Sequence, residues 1–494
     1  MEGDEMEYII GIDQSTQGTK ALLFDEKAAL IAREDLGHRQ IISPEGYVSH
    51  DMEEVYWNTR KVIKALLDKM QVSGSRIRGI GISNQRETTV AWNRETGKPV
   101  CDAIVWQCAR AESVCRGFSQ EKKDIIARRT GIPLSPYFPA AKMAWILENV
   151  KGAKELAREG KLCMGTVDSW LLFSMTGGKE FKTDYSNASR TQLFNLHSLC
   201  WDEEICAMFG IPASCLPKVC DSNSLFGMTD LQGVLEKEVP VHAMLGDSHG
   251  ALFGQGCLEK GMVKATYGTG SSLMMNIGEE FVGSKHGIVT SLAWGIDGRV
   301  NYVLEGNLNY TGAVISWLKD ELGLISSAGE TQELAMAANK EDTTCLVPAF
   351  SGLGAPYWKS DARAILYGMS RSTGKKEVVK AALDCIAYQI TDLLLAMEQD
   401  SGMKLEKLCV DGGPTRNRYL MQLQSDMADL RVCVPDAEEL SGIGAAYLAG
   451  ITMKLFDGDT AFGNLSYHEF RPEMEEAEKT RRYEGWKEAV SKVL

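Results

Sequence analysis

Apolar residues recur with two periods along the chain, and the switching between them predicts an alternating α/β protein. Short runs rich in Ile, Val, Leu and Ala occupy 8–13, 20–25, 28–33, 77–83 and 88–93, bounded by polar or glycine residues, which predicts strands. Between them, Val55, Val62, Ile63, Leu66 and Leu67 share the spacing of one helix face, so 52–70 reads as an amphipathic helix. A second helix is expected over 139–160, opened by Pro139, whose fixed φ suits a first turn. Segments 167–175 and 201–209 read as further helices, the last stopped by Gly210-Ile211-Pro212. Strand character returns near His242 and includes 262–265 and 272–276. The later half then repeats the style, with strands at 288–294, 299–305, 408–410 and 431–434, helices at 376–397, 418–428 and 441–455, and a charged helical tail beyond about 465.

Two strand–turn–strand units, 8–25 and 262–276, head the two halves, with Ser15-Thr16 in one turn and Gly268-Thr269-Gly270 in the other. This predicts a duplication. A chain of 494 residues exceeds what one core serves, and two domains are expected, 1–254 and 255–494. No Pro- or Ser-rich linker separates them, which predicts a shared hinge rather than a tether.

Composition narrows the function. A net charge of -14 disfavours nucleic acid and anionic membrane surfaces as partners, since both attract basic proteins. The acidic start Glu2-Gly3-Asp4-Glu5 is unlike a signal peptide, and no apolar run approaches the roughly 20 residues that span a bilayer. The thirteen cysteines are scattered without a CxxC pair, which predicts reduced thiols in the cytoplasm. Cys101, Cys108 and Cys115 fall seven apart, as on one face of a helix, and the seven histidines do not join them in a zinc pattern.

Five polar turns at strand ends carry the candidate chemistry. The first is Asp13-Gln14-Ser15-Thr16-Gln17-Gly18-Thr19-Lys20: a carboxylate able to place Mg²⁺ through water, hydroxyls and unhindered N–H groups for phosphate oxygens, and a cation. It is not a Walker loop, because GxxxxGK[ST] is absent and a strand follows. Thr269 in Tyr267-Gly268-Thr269-Gly270 and Gly413 in Asp411-Gly412-Gly413-Pro414-Thr415-Arg416-Asn417 are further phosphate or nucleotide candidates. Asn84-Gln85-Arg86-Glu87 offers a donor beside an acceptor for vicinal hydroxyls, and Leu245-Gly246-Asp247-Ser248-His249 offers Asp247 as a proton acceptor for transfer to an alcohol. Taken singly, each reads equally well as an ordinary turn or surface ion pair. Their succession in this order points to phosphoryl transfer.

At those residues the chain resembles the FGGY carbohydrate kinases, and within them the glycerol kinase branch, over nearly its whole length. The resemblance rests on ISNQRETTVAWNRETGKPVCDAIVWQCAR at 82–110, TDYSNASRTQL at 183–193, GLGAPYW at 352–358, Phe470-Arg471-Pro472, and the family-wide patterns at 137–146 and 368–388. It implies two actin-like, ribonuclease-H-like α/β domains about a central cleft, and Mg²⁺-dependent transfer from ATP to a terminal hydroxyl of a small polyol or sugar. By matching position it implies Arg86, Glu87, Tyr137 and Asp247 on the polyol, Asp247 as base and Trp106 against the carbon skeleton. Ser15, Thr16, Lys20, Thr269, Gly312, Ser316, Gly413 and Asn417 would meet the nucleotide, and Asp13 the metal. A homodimer or homotetramer is the expected assembly. The chain departs from the pattern at Ser248 (usually Gln), Ser272 (usually Phe) and Lys20 (usually Arg). The two serines would open the substrate wall, so a larger polyol or ketose such as erythritol, xylulose or ribulose stands beside glycerol. An actin- or chaperone-like ATPase would need the turns but not Arg86, Glu87, Trp106 and Tyr137.

Overall fold

Strands rich in β-branched and leucine residues assemble into one large sheet per half of the chain, with smaller two- and three-stranded sheets beside them, in a computed structural model that describes residues 6–494. In the first half Tyr8–Gln14 (β1), Gly18–Phe24 (β2) and Leu30–Gly37 (β3) form an antiparallel meander. Ile77–Asn84 (β4) pairs in parallel with β1; Gly227–Thr229 (β5) lies at the edge, antiparallel to Val239–Gly246 (β6), which is parallel to β4. In the second half Val263–Tyr267 (β7) and Ser271–Gly278 (β8) form the hairpin, and Val289–Ile296 (β9) and Arg299–Leu308 (β10) extend it antiparallel. Lys407–Asp411 (β11) and Arg431–Pro435 (β12) add in parallel beyond β7, with Tyr467–Phe470 (β13) at the edge.

The sheet orders are β5-β6-β4-β1-β2-β3 and β9-β10-β8-β7-β11-β12-β13. In each, the first hairpin strand pairs antiparallel with the second and parallel with a strand that returns after a long crossover, the connectivity of a duplicated unit. The parallel strands need helices on both faces, which explains why β4 and β6 are so continuously buried.

The long helices follow the apolar spacing: Met52–Met70 (α1), Pro139–Asn149 (α2), Asp247–Gly254 (α3), Gly312–Asp320 (α4), Lys375–Ser401 (α5), Arg418–Ala428 (α6), Leu440–Thr452 (α7) and Glu476–Ser491 (α8). The expected helix over 139–160 is two, because Gly152 takes a left-handed φ of 85° before Ala153–Arg158. The expected 201–209 helix begins only at Glu203, where Asp202 caps it. Cys101, Cys108 and Cys115 do not share a helix: only Cys115 is helical, in Glu112–Arg116, and the other two lie in the loop before it. All thirteen cysteines are free thiols.

Crossed helices join the halves. Although α7 belongs to the later half of the chain, it packs on β1, β2, β4 and β6 of the first sheet, while α3 also touches β7 and β8. Glycines make these approaches possible. A Cβ on Gly81 would lie 2.1 Å from the Ala445 carbonyl, and one on Gly444 would lie 1.9 Å from that of Gly250. Backbone therefore meets backbone where α3 and α7 cross, at the carboxyl ends of β1, β4 and β6.

Candidate active site

β1 delivers Asp13 to the carboxyl edge of its sheet, where it faces Lys20 across the hairpin. The side chain is 6 % exposed, and its Oδ1 has no hydrogen-bond partner. Burial, opposed by Lys20 and assisted by the Asp247 and Glu439 charges, pushes its pKa up to about 7. Asp13 and Asp247 are thus brought together from opposite ends of the first half. Lys20 pairs with Glu439 at 2.5 Å, the residue immediately before α7. Ser15 spends its hydroxyl inside the turn on the Gly18 N–H and carbonyl, at 3.3 and 3.1 Å. Thr16 accepts from the Trp106 indole at 2.9 Å. A buried carboxylate with a free oxygen, its charge disfavoured by its surroundings, suits a site for a hydrated divalent cation. Among the described residues no group of three or more His, Cys, Asp or Glu could hold a metal, so such an ion would rest on Asp13 and on phosphate oxygens.

From Asp247 a charge network runs inward across both domains. Asp247, the first residue of α3, accepts from Arg86 Nε at 3.1 Å and from the Ser248 N–H at 2.6 Å, both on Oδ1. The Arg86 guanidinium also binds Glu305 with two bonds at 3.0 and 3.1 Å. Glu305 continues to Arg190 at 2.9 Å, and Arg190 to Glu87 at 2.6 Å. Arg86, Glu87, Arg190 and Glu305 are all buried. Against the upward push of burial, Arg190 and Arg86 hold the Glu305 carboxyl well below its ordinary range. Lys264 is buried beside Asp411, Arg86, Asp247 and Glu305, its pKa lowered by burial.

Tyr137 and Trp106 form an aromatic wall beside this network, ring centroids 5.5 Å apart. Tyr137 is raised by burial and by the Glu87 charge, with Arg86 and Arg190 opposing, which places its ring against the same residues. On β8, Ser272 pairs with Asn307 of β10, and its buried hydroxyl has no partner. Asn307 donates to Glu305 at 3.0 Å.

The remaining candidates gather in the second domain. Gly412, at φ 98°, lies so close to Tyr267 that a Cβ would fall 1.9 Å from its carbonyl, which presses the 411–413 turn onto the 267–270 turn. The Gly312 N–H donates to Gly268 at 2.9 Å, and the Ala313 N–H to Thr269 at 3.0 Å, so α4 starts from the same turn. Ser316 lies one helical turn along α4 and is exposed, and nothing would obstruct a Cβ at Gly413. Asn417 already uses both ends of its side chain: Oδ1 caps α6 at Leu420, and Nδ2 donates to Thr331.

Sequence reasoning singled out Arg86, Glu87 and Asp247 but missed Glu305, Arg190, Lys264 and Glu439. A signal existed for two of them. Lys264 is flanked by Val263 and Ala265, and Glu305 follows the apolar run Tyr302-Val303-Leu304; charges so placed are buried only when paired. Arg190 and Glu439 sit in polar segments and had none.

The two-domain α/β fold, with Asp13, Asp247, the buried Arg86–Glu305 network and the Trp106–Tyr137 ring pair brought together, is that of a class of sugar and polyol phosphotransferases. The chain belongs to the FGGY family of carbohydrate kinases, matching the N-terminal domain of that family at residues 8–254 and its C-terminal domain at 263–453. It is 44% identical over 490 residues to a glycerol kinase of Alkaliphilus oremlandii, covering 99% of this chain and 97% of that protein. It is equally 44% identical over 490 residues to glycerol kinase 1 of Thermotoga maritima, covering 99% of each. The crystal structure of Plasmodium falciparum glycerol kinase with ADP superposes with a TM-score of 0.93 at 33% identity, covering 99% of this chain and 98% of that one. A xylulose kinase from Lactobacillus acidophilus, at 20% identity and a TM-score of 0.87, shares the fold. No helix of the described residues is long and apolar enough to cross a membrane.

Proposed function

We propose that the protein transfers the γ-phosphoryl group of ATP to a terminal hydroxyl of a small polyol, with glycerol, giving glycerol 3-phosphate, as the foremost substrate. The observation that carries this reading is the junction of Asp247 with Arg86 and Glu305. Both contacts to Asp247 fall on Oδ1, which leaves Oδ2 to accept the proton of the attacking hydroxyl. Arg86 and Glu87 stand beside it to bind the neighbouring hydroxyls, while Trp106 and Tyr137 receive the carbon skeleton. The turns at Thr16–Lys20, Thr269 with Gly312 and Ser316, and Gly413 with Asn417 hold the nucleotide. Mg²⁺ carried by Asp13 would neutralise charge on the phosphates. Because Arg86 lies just beyond the end of β4 and Glu305 on β10, the acceptor site is complete only when the two domains meet, which excludes water from the transfer. The reaction partners are the polyol and ATP, and the free thiols fit a cytoplasmic location.

A second reading, an acceptor longer than glycerol, is favoured by the unpartnered hydroxyl of Ser272 and the small side chain of Ser248. Comparing kcat/KM for glycerol, erythritol, xylulose and ribulose with Mg-ATP separates the two. Glycerol clearly best upholds the first reading; no polyol-dependent ATP turnover with any of them refutes both.

A further inference from the structure

Lys142 has no part in the scheme above, yet it is one of the largest fully buried side chains in the protein. It sits in the first turn of α2. Among the described residues no carboxylate is bonded to its ammonium. Instead it donates to the main-chain carbonyl of Trp106 at 3.2 Å and to that of Tyr137, and it lies 5.9 Å from the Tyr137 ring centroid. A buried ammonium without a bonded counter-ion is a costly way to fill space, so stability alone does not account for it. What it holds is specific: the peptides carrying the two aromatic rings of the acceptor wall. The Trp106 peptide is gripped at both ends, its N–H donating to Thr88 at 3.2 Å and its carbonyl accepting from Lys142. The indole then reaches Thr16 of the first phosphate turn at 2.9 Å.

We propose that Lys142 is a positioning residue for the acceptor: its ammonium fixes the Trp106–Tyr137 wall and, through the indole, the registration of that wall against the first phosphate turn. This rests on the reading of Trp106 and Tyr137 as the polyol wall. A charge-assisted bond to a carbonyl is roughly twice as strong as a neutral one, so an uncharged replacement of similar length loosens both rings at once. Its link to the nucleotide turns is the indirect one through the indole and Thr16, so the loss in ATP binding should be much smaller than that in acceptor binding.

The test is steady-state kinetics of Lys142→Met and Lys142→Gln, with glycerol as the varied acceptor and Trp106→Ala as control. Expected for Lys142→Met is a rise of at least tenfold in the glycerol KM, with kcat and the ATP KM within threefold of wild type. Lys142→Gln, which keeps an N–H donor, should lie between. An unchanged glycerol KM, or equal losses in kcat and both KM values alongside a lowered Tm, overturns the inference. If Trp106→Ala leaves the glycerol KM unchanged, the wall assignment itself fails, and the inference with it. Should neither lysine variant fold, the wild-type pH profile decides. Burial lowers Lys142 to about 7, and the groups facing it are Glu87, Cys108, Cys115, Arg110 and Tyr137. Burial pushes Cys115 up to about 11 and Tyr137 higher still, so neither ionises below pH 9. Cys108 is drawn below its ordinary value, burial being outweighed by bonds from Arg110 and backbone N–H groups. The glycerol KM should rise severalfold between pH 6 and 8.5 as the ammonium is lost, and a flat profile would refute the charged anchor.

Discussion

Replacing Glu305 with glutamine keeps the shape of the side chain and removes one negative charge from a buried set of four. Arg86 and Arg190 balance Glu87 and Glu305, with side-chain exposures of 6, 1, 2 and 0 % respectively. In the variant Arg86 is left with the partly exposed Asp247 and Arg190 with Glu87 as ion-pair partners. The two hydrogen bonds at 3.0 and 3.1 Å and the ion pair at 2.9 Å lose their ionic character or break. Removing one partner of a buried pair costs about 3–5 kcal/mol, against a total stability of about 5–15 kcal/mol for a typical domain. For a domain of this size each kcal/mol shifts the midpoint by about 2–4 °C, so Tm should fall by about 6–20 °C. Scanning calorimetry at pH 7 reads this directly, and urea unfolding provides an independent ΔG. Adding Arg190→Met restores the balance of buried charge, so the double variant should be more stable than the sum of the two single losses. The sign with pH follows from the depressed carboxyl. Glu305 contributes fully above its ordinary value of 4.5, and the contribution is lost as pH falls below it. The gap between wild type and variant should therefore narrow in acid. A Glu305→Gln midpoint within about 2 °C of wild type at pH 7, or strict additivity in the double variant, would refute the electrostatic account of this network.

Other substitutions probe the remaining parts. Asp247→Asn should lower kcat by about 10²–10⁴-fold, the usual contribution of a positioned base; its side chain is 37 % exposed, so Tm should stay within a few degrees. Kinetics beside a thermal melt checks both, and near-normal turnover would remove Asp247 from the base role. In metal-free protein, Asp13 has a folded pKa of about 7 against 3.8 unfolded. Its contribution is whole below 3.8 and lost as pH rises through 7, so the Tm of Asp13→Asn relative to wild type should improve by several degrees from pH 5 to pH 8. An offset independent of pH would sink that reading of the buried acid. Gly444→Ala places a Cβ 1.9 Å from the Gly250 carbonyl. Prying α3 and α7 apart should cost more than about 2 kcal/mol and lower kcat, since backbone cannot yield as a side chain does; wild-type values in both would deny the crossing a structural role.

Periodicity made the strands and long helices legible, because an edge or helix that buries one face must repeat its apolar residues every two or every three to four positions. The two hairpins announced the duplication, since a turn of Ser, Thr and Gly between apolar strands is a local feature that survives in any context. Asp13, Arg86 and Asp247 could be read for the same reason: each stands at or just beyond the carboxyl end of an apolar strand. What could not be read is where α7 belongs. Its sequence is uniformly apolar and glycine-rich, which says that it is buried but not against which sheet; only the close backbone approaches at Gly11, Gly81 and Gly250 place it on the first. Nor could the partner of Arg86 be foreseen. Glu305 is 219 residues away and meets it only because the second domain closes on the first. Local pattern reports how a segment folds and which of its residues want burial. The pairing of charges across a cleft depends on packing between segments that carry no local record of each other, and it is at that pairing that we propose the acceptor site.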